Sequence, residues 1–187
     1  MKKNKYLFLI TLAYFVLGYV TIHFALLGLI CMALPSIFLF RDKKKTWCQD
    51  YCPRASLYTT CGNIKKKHSY KTPKFFIKGS MKWIMLGYFG ISLMIIILST
   101  IGVAHGKPPM DYLRFLLIFP LKGMPQLFDI ASPEWVLHLS YRFYSMMMTT
   151  TTLGLILALI FKPRTWCTIC PIATVSDIYI KRQRNKM

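Results

Sequence analysis

Acidic side chains are scarce: 6 Asp and Glu stand against 25 Lys and Arg in 187 residues, a formal net charge of +19. That imbalance points to nucleic acid or to an anionic membrane surface as the partner. No signature of a DNA- or RNA-binding fold accompanies the charge, so nucleic acid is not expected. The chain also lacks a Gly-rich phosphate loop, a nucleophile–base pair and a pair of carboxylates, which argues against a stand-alone substrate-converting enzyme. A cleavable leader is missing too: the first apolar stretch outruns the roughly 7–15 residues of a signal-peptide core and no small-residue cleavage site closes it, so the N-terminus is expected to stay attached.

What is abundant is apolar sequence, 55% of all residues, more than a soluble core of this size needs. Tyr6 to Phe40 gives 35 positions without Asp, Glu, Lys or Arg, too long for one span of about 20 residues and suited to two short ones bent at Gly18–His23. Trp83 to Ala104 forms a third span of 22 residues, and Leu139 to Phe161 a fourth, with Arg142 near its outer end. Pro108, Pro109, Pro120, Pro125 and Pro133 break the segment from His105 to His138, which reads as interfacial or re-entrant. Of the 25 basic residues, 21 fall in the N-terminus, in Arg41 to Lys82 and after Phe161; 4 (Lys107, Arg114, Lys122, Arg142) fall opposite. The positive-inside rule then places both termini in the cytoplasm of a multi-pass protein of the inner or plasma membrane.

Four of the 6 cysteines lie in two segments that look like copies: Thr46-Trp47-Cys48 leading to Cys52-Pro53, and Thr165-Trp166-Cys167 leading to Cys170-Pro171. Each copy follows the second helix of an expected hairpin. The fold class expected is therefore all-α: four transmembrane helices as two repeated hairpins, each followed by a cytoplasmic Cys-Pro motif and a short helix. Repeat 1 covers 6–62, a basic cytoplasmic linker 63–82, and repeat 2 covers 83–180. Iron–sulfur clusters take four thiolates, and two half-sites make one full site, so Cys48, Cys52, Cys167 and Cys170 are the expected ligands of one [4Fe-4S] cluster per chain. Proline suits the first position of a helix, which puts Cys52 and Cys170 at helix N-termini, where unpaired N–H groups, with Lys43, Lys44, Lys45, Arg54 and Arg164 nearby, favour thiolate. Cys61 is a reserve ligand, lifted from the motif by about two and a half helical turns; Cys31 reads as an inert residue of an apolar span. A Cys₄ zinc site in a membrane regulatory or binding protein is the alternative.

With these motifs in view, the chain resembles the NapH/NosR-type four-iron-four-sulfur-binding membrane proteins. The resemblance implies electron transfer through cytoplasmic clusters set by membrane helices, and carries over to Cys48, Cys52, Cys167 and Cys170. The expected function is an electron-transfer subunit of an oxidoreductase system, working between an acidic cytoplasmic carrier of ferredoxin or flavodoxin type and a further redox subunit in or across the membrane. Lys65-Lys66-Lys67-His68, with Lys71, Lys74, Lys78 and Lys82, would meet anionic lipids or that carrier. His23, His105 and His138 read as interfacial histidines, Trp83, Tyr88, Trp135 and Tyr141 as interface anchors, and Met146–Thr152 as a helix-packing run.

Overall fold

The computed structural model describes residues 5–64, 70, 72, 79–109, 112–115, 119–121 and 132–185. The run Lys65–His68, together with Lys71, Lys74, Lys78, Lys122 and Pro125, lies outside the described residues. A single 3-10 turn, Lys5–Leu7, leads into α1, Phe8–Val20. Thr21 is extended (φ −145°, ψ 126°), a 3-10 turn covers Ile22–Leu26, and α2 runs Leu27–Asp42. The break falls inside the expected bend: the Thr21 N–H closes α1 on the Leu17 carbonyl at 2.9 Å, and the Phe24 N–H opens the next turn on the Thr21 carbonyl at 3.2 Å. The Tyr14 hydroxyl, donating to the Ala25 carbonyl at 3.0 Å, shows that the chain folds back on itself there.

After α3, Pro53–Ile64, comes α4, Ser80–Ala104. The last turn of α4 is closed by Lys107 N–H to Gly102 carbonyl and Gly106 N–H to Val103 carbonyl, and Gly106 takes the left-handed φ of +93° this closure demands. Two strands follow, β1 (Leu113–Phe115) and β2 (Phe119–Leu121), antiparallel with Leu113 opposite Leu121 and Phe115 opposite Phe119. This short pair was not expected in an all-α reading; Pro120 can sit in β2 because a two-stranded ribbon is all edge. Helix α5 runs Glu134–Ile160 and starts five residues before the expected Leu139, since Pro133 supplies a carbonyl for the first turn and only the sequence before it is barred from the helix. The chain ends in α6 (Thr165–Ile169) and α7 (Pro171–Arg184).

Among the described residues three stretches are long and apolar enough to cross a bilayer: Ile22–Asp42, Ser80–Ala104 and Glu134–Ile160. The 13 residues of α1 rise about 20 Å, short of the roughly 30 Å of hydrocarbon, so the first of the four expected spans is the one its length does not support. Along α4 the exposed large apolar side chains are Trp83, Ile84, Ile91, Met94, Ile95, Ile97, Leu98 and Ile101, a surface suited to lipid and not to water.

The chain divides into two compact units, 12–31 with 91–152 and 1–11 with 32–90 and 153–187. In the first, Ile22, Ala25, Leu113, Tyr141 and Tyr144 form the core, with Tyr14, Phe15, Leu137 and Met148 against it. Tyr141 is therefore a core residue and not the interface anchor expected, while Trp83 and Trp135 are exposed as anchors should be. His23 shares a hydrogen bond with Ser132 Oγ at 2.6 Å and buried His138 one with Ser99 Oγ at 3.1 Å; His105 is exposed. Helical hydroxyls satisfy themselves on the preceding turn, Ser140 on the Val136 carbonyl and Thr150 on the Met146 carbonyl. In the second unit the core is Tyr58, Ala158, Trp166 and Ile169, packed by Met81, Met85, Leu153 and Cys170.

Candidate metal centre

Both cysteine motifs belong to that second unit. Past α2, Lys43 turns the chain with a left-handed φ of 50°. Trp47–Tyr51 then forms one π-helical turn. Its aromatic rings fix it to α2: Phe38 stacks on Trp47 at 5.7 Å and on Tyr51 at 5.8 Å between ring centroids. Cys52 is extended (φ −68°, ψ 111°), as the residue before a proline must be, and its carbonyl accepts the Ser56 N–H that opens α3.

The second copy reaches the same end by a different turn. The Thr165 hydroxyl donates to the Lys162 carbonyl at 2.8 Å, and α6 carries Cys167. Cys170 is again extended (φ −59°, ψ 128°), with Pro171 first in α7 and both the N–H and the hydroxyl of Thr174 on its carbonyl at 3.0 Å. Three residues separate Cys48 from Cys52 and two separate Cys167 from Cys170. A π turn holds about one residue more than an α turn, so it absorbs the extra one and both copies present the same Cys-Pro helix start.

The four thiols are half-buried, and thiols of both copies act on Cys48 and on Cys167. Burial pushes Cys48 up to about 11, with repulsion from Cys52 and Cys170 adding and Lys45 opposing. Cys167 is pushed up to about 12, by burial first, then by Cys52 and Cys170, with Arg164 opposing. The sequence led us to expect basic residues and helix starts to favour thiolate; at these two positions burial and mutual repulsion win. At Cys48 and Cys167 the bare thiol is thus favoured over thiolate, and a positively charged group beside them would reverse that balance while releasing their protons. Cys61 is half-buried farther along α3 and is not among the groups acting on Cys48 or Cys167; Cys31 lies on α2 in the first unit.

Contacts tie the two copies together. Lys45 before the first motif forms an ion pair with Asp177 of α7, and Phe40 meets Tyr179 edge-on at 5.3 Å. Tyr58, 1% exposed, packs with Trp166 and Ile169 of the second copy. Burial raises the Tyr58 phenol well above its usual value, Arg54 opposes, and Cys52, Cys170 and Cys167 add to the rise. We did not single out Tyr58 from sequence; its signal was the spacing of Ala55, Tyr58 and Gly62 on one face of α3. A Cβ on Gly62 would stand 2.8 Å from Pro163 Cβ and 2.9 Å from its Cα, so α3 can lie against the second motif only without a side chain there. Gly62→Ala is expected to cost about 1–3 kcal/mol by overpacking and to speed bleaching of the visible absorbance in air; unchanged bleaching would show that the approach is not needed.

Two stretches, residues 24–70 and 144–186, match a family model described as a 4Fe-4S binding domain. The cofactor is a [4Fe-4S] cluster. Each stretch contains one cysteine pair, and the donor set fits such a group. Among the described residues no three His, Cys, Asp or Glu side chains are grouped to hold one ion. No curated protein and no solved structure matches the chain.

Proposed function

We propose that the chain is a membrane-bound electron-transfer protein in which Cys48, Cys52, Cys167 and Cys170 hold one [4Fe-4S] cluster between two repeats. What supports this reading is that both matched stretches carry one Cys-Pro cysteine pair each and that the two pairs belong to one compact unit. The cluster supplies one-electron chemistry when bound. The protein's own residues do the rest: Cys-Pro helix starts set the backbone of Cys52 and Cys170, and Cys170 packs against the core that holds Tyr58 and Trp166. Anaerobic purification with iron and sulfide analysis tests it: about four irons per chain is expected. About eight irons, or stoichiometric zinc in a colourless preparation, would overturn it.

In this reading the chain crosses the membrane four times, with α1 as the short first span, and both termini and the cluster on the cytoplasmic side. Cysteine probes introduced at Asn63 or Asn185 should resist an impermeant reagent added outside intact cells; their modification would refute the topology. A cluster on one side faces about 30 Å of hydrocarbon, so a second redox centre, in a partner subunit, must serve the other side. The electron donor on the near side is an acidic carrier of ferredoxin or flavodoxin type, recruited by the basic residues from Arg41 to Lys82. Its reduction of the cluster should slow steeply between about 0.05 and about 0.5 M salt as the charges are screened; a salt-independent rate would exclude recruitment by charge.

A further inference from the structure

One face of α5 is polar and buried. His138, Arg142, Ser145 and Thr149 recur at helical spacing and are only 2%, 8%, 6% and 3% exposed. His138 and Ser145 meet neighbours in the same unit. His138 shares a hydrogen bond with Ser99, and the Ser145 hydroxyl accepts the Arg114 N–H at 3.1 Å, which pins β1 across α5 one turn from Arg142. Arg142 is different, because its Nε is buried without a hydrogen-bond partner. The Arg114 guanidinium lies within electrostatic reach of it, donates to the Tyr112 hydroxyl at 2.6 Å and sits over the Tyr112 ring at 5.2 Å.

Two neighbouring guanidiniums, one of them buried, are costly unless an anion joins them. The described carboxylate nearest in this unit, Glu134, is exposed at the start of α5, eight residues from Arg142. We propose that Arg142 and Arg114, with the Tyr112 hydroxyl, form a binding site for a phosphate group. Guanidinium forks match phosphate oxygens in pairs, and Tyr112, whose oxygen accepts from Arg114, keeps its hydrogen to donate. Arg142 stands about 12 Å along the helix from Glu134, too far for the two to pair. The phosphate is that of a phospholipid headgroup or a free phosphate ion, and the site is separate from the cysteines in chemistry and in unit.

The test uses the full chain, delipidated in detergent, with thermal unfolding followed by tryptophan fluorescence. Three probes are titrated: short-chain phosphatidylglycerol, a diacylglycerol of the same chain length, and inorganic phosphate against chloride at equal ionic strength. Phosphatidylglycerol should raise the melting temperature while diacylglycerol does not, and Arg142→Gln should need at least about tenfold more lipid. Arg142→Lys, which keeps the charge and loses the fork, should fall between, and Arg114→Gln should weaken the response should Arg142→Gln fail to fold. Stabilisation by inorganic phosphate as well identifies the free ion as an occupant; stabilisation by lipid alone identifies the headgroup. Equal effects of diacylglycerol and phosphatidylglycerol, or equal midpoints for the wild type and the folded variants, would overturn the site. So would Asp111→Asn or Asp129→Asn lowering the unliganded melting temperature as Arg142→Gln does, since one of the chain's own carboxylates would then be the partner.

Discussion

Replacing any one of Cys48, Cys52, Cys167 and Cys170 by Ser is expected to abolish or strongly perturb the cluster, with loss of the brown absorbance near 400 nm and of iron. A hydroxyl is a far weaker ligand to iron than a thiolate, and three remaining thiols cannot fill four positions. Because the thiols come from both motif copies, each loss should also loosen the unit that contains them, read as faster proteolysis around α3 and α7. Cys31→Ser should leave iron content unchanged, as that residue lies on α2 in the other unit. Cys61→Ser is the discriminating control. Loss of the cluster there, with retention in Cys167→Ser, would mean that the first segment supplies three ligands and that the symmetric assignment is wrong.

The second large effect concerns two tryptophans that the sequence presents as equivalents. Trp166→Ala should cost about 3–5 kcal/mol, the usual range for deleting a large buried aromatic side chain. Trp166 is 4% exposed and belongs to the core with Tyr58, Ala158 and Ile169, directly beside Cys167. Trp47 is half-buried and stacks on Phe38 and Tyr51, so Trp47→Ala should cost clearly less. Chemical unfolding in micelles, followed by cluster absorbance, separates them. Equal costs would show that the packing around Trp166 does not set the stability of the centre.

Much of this arrangement is legible in the residues. The break at Thr21 falls where polar and small residues interrupt an apolar run, and α4 ends at Ala104, where Gly106 permits its closing turn. The two Cys-Pro helix starts follow from proline's fixed φ and its effect on the residue before it. Other features rest on tertiary context. Glu134, Trp135 and His138 look interfacial, yet they belong to α5; Pro133 was the start signal to weigh. The pairing of Leu113–Phe115 with Phe119–Leu121 lies in a run too apolar and too short to separate strand from helix by period. The unequal spacing of the two cysteine pairs is visible in the sequence, but that a π turn absorbs it is visible only in the backbone.

The joining of the two motif copies also has a consequence in time. Cys48 and Cys52 leave the ribosome before α4 and α5, Cys167 and Cys170 after them. On the proposed assignment, a centre that takes thiolates from both copies is completed only after the last helices have been synthesised. The Lys45–Asp177 ion pair and the Phe40–Tyr179 contact, which need no iron, can align the late segment with the early one before any cluster arrives.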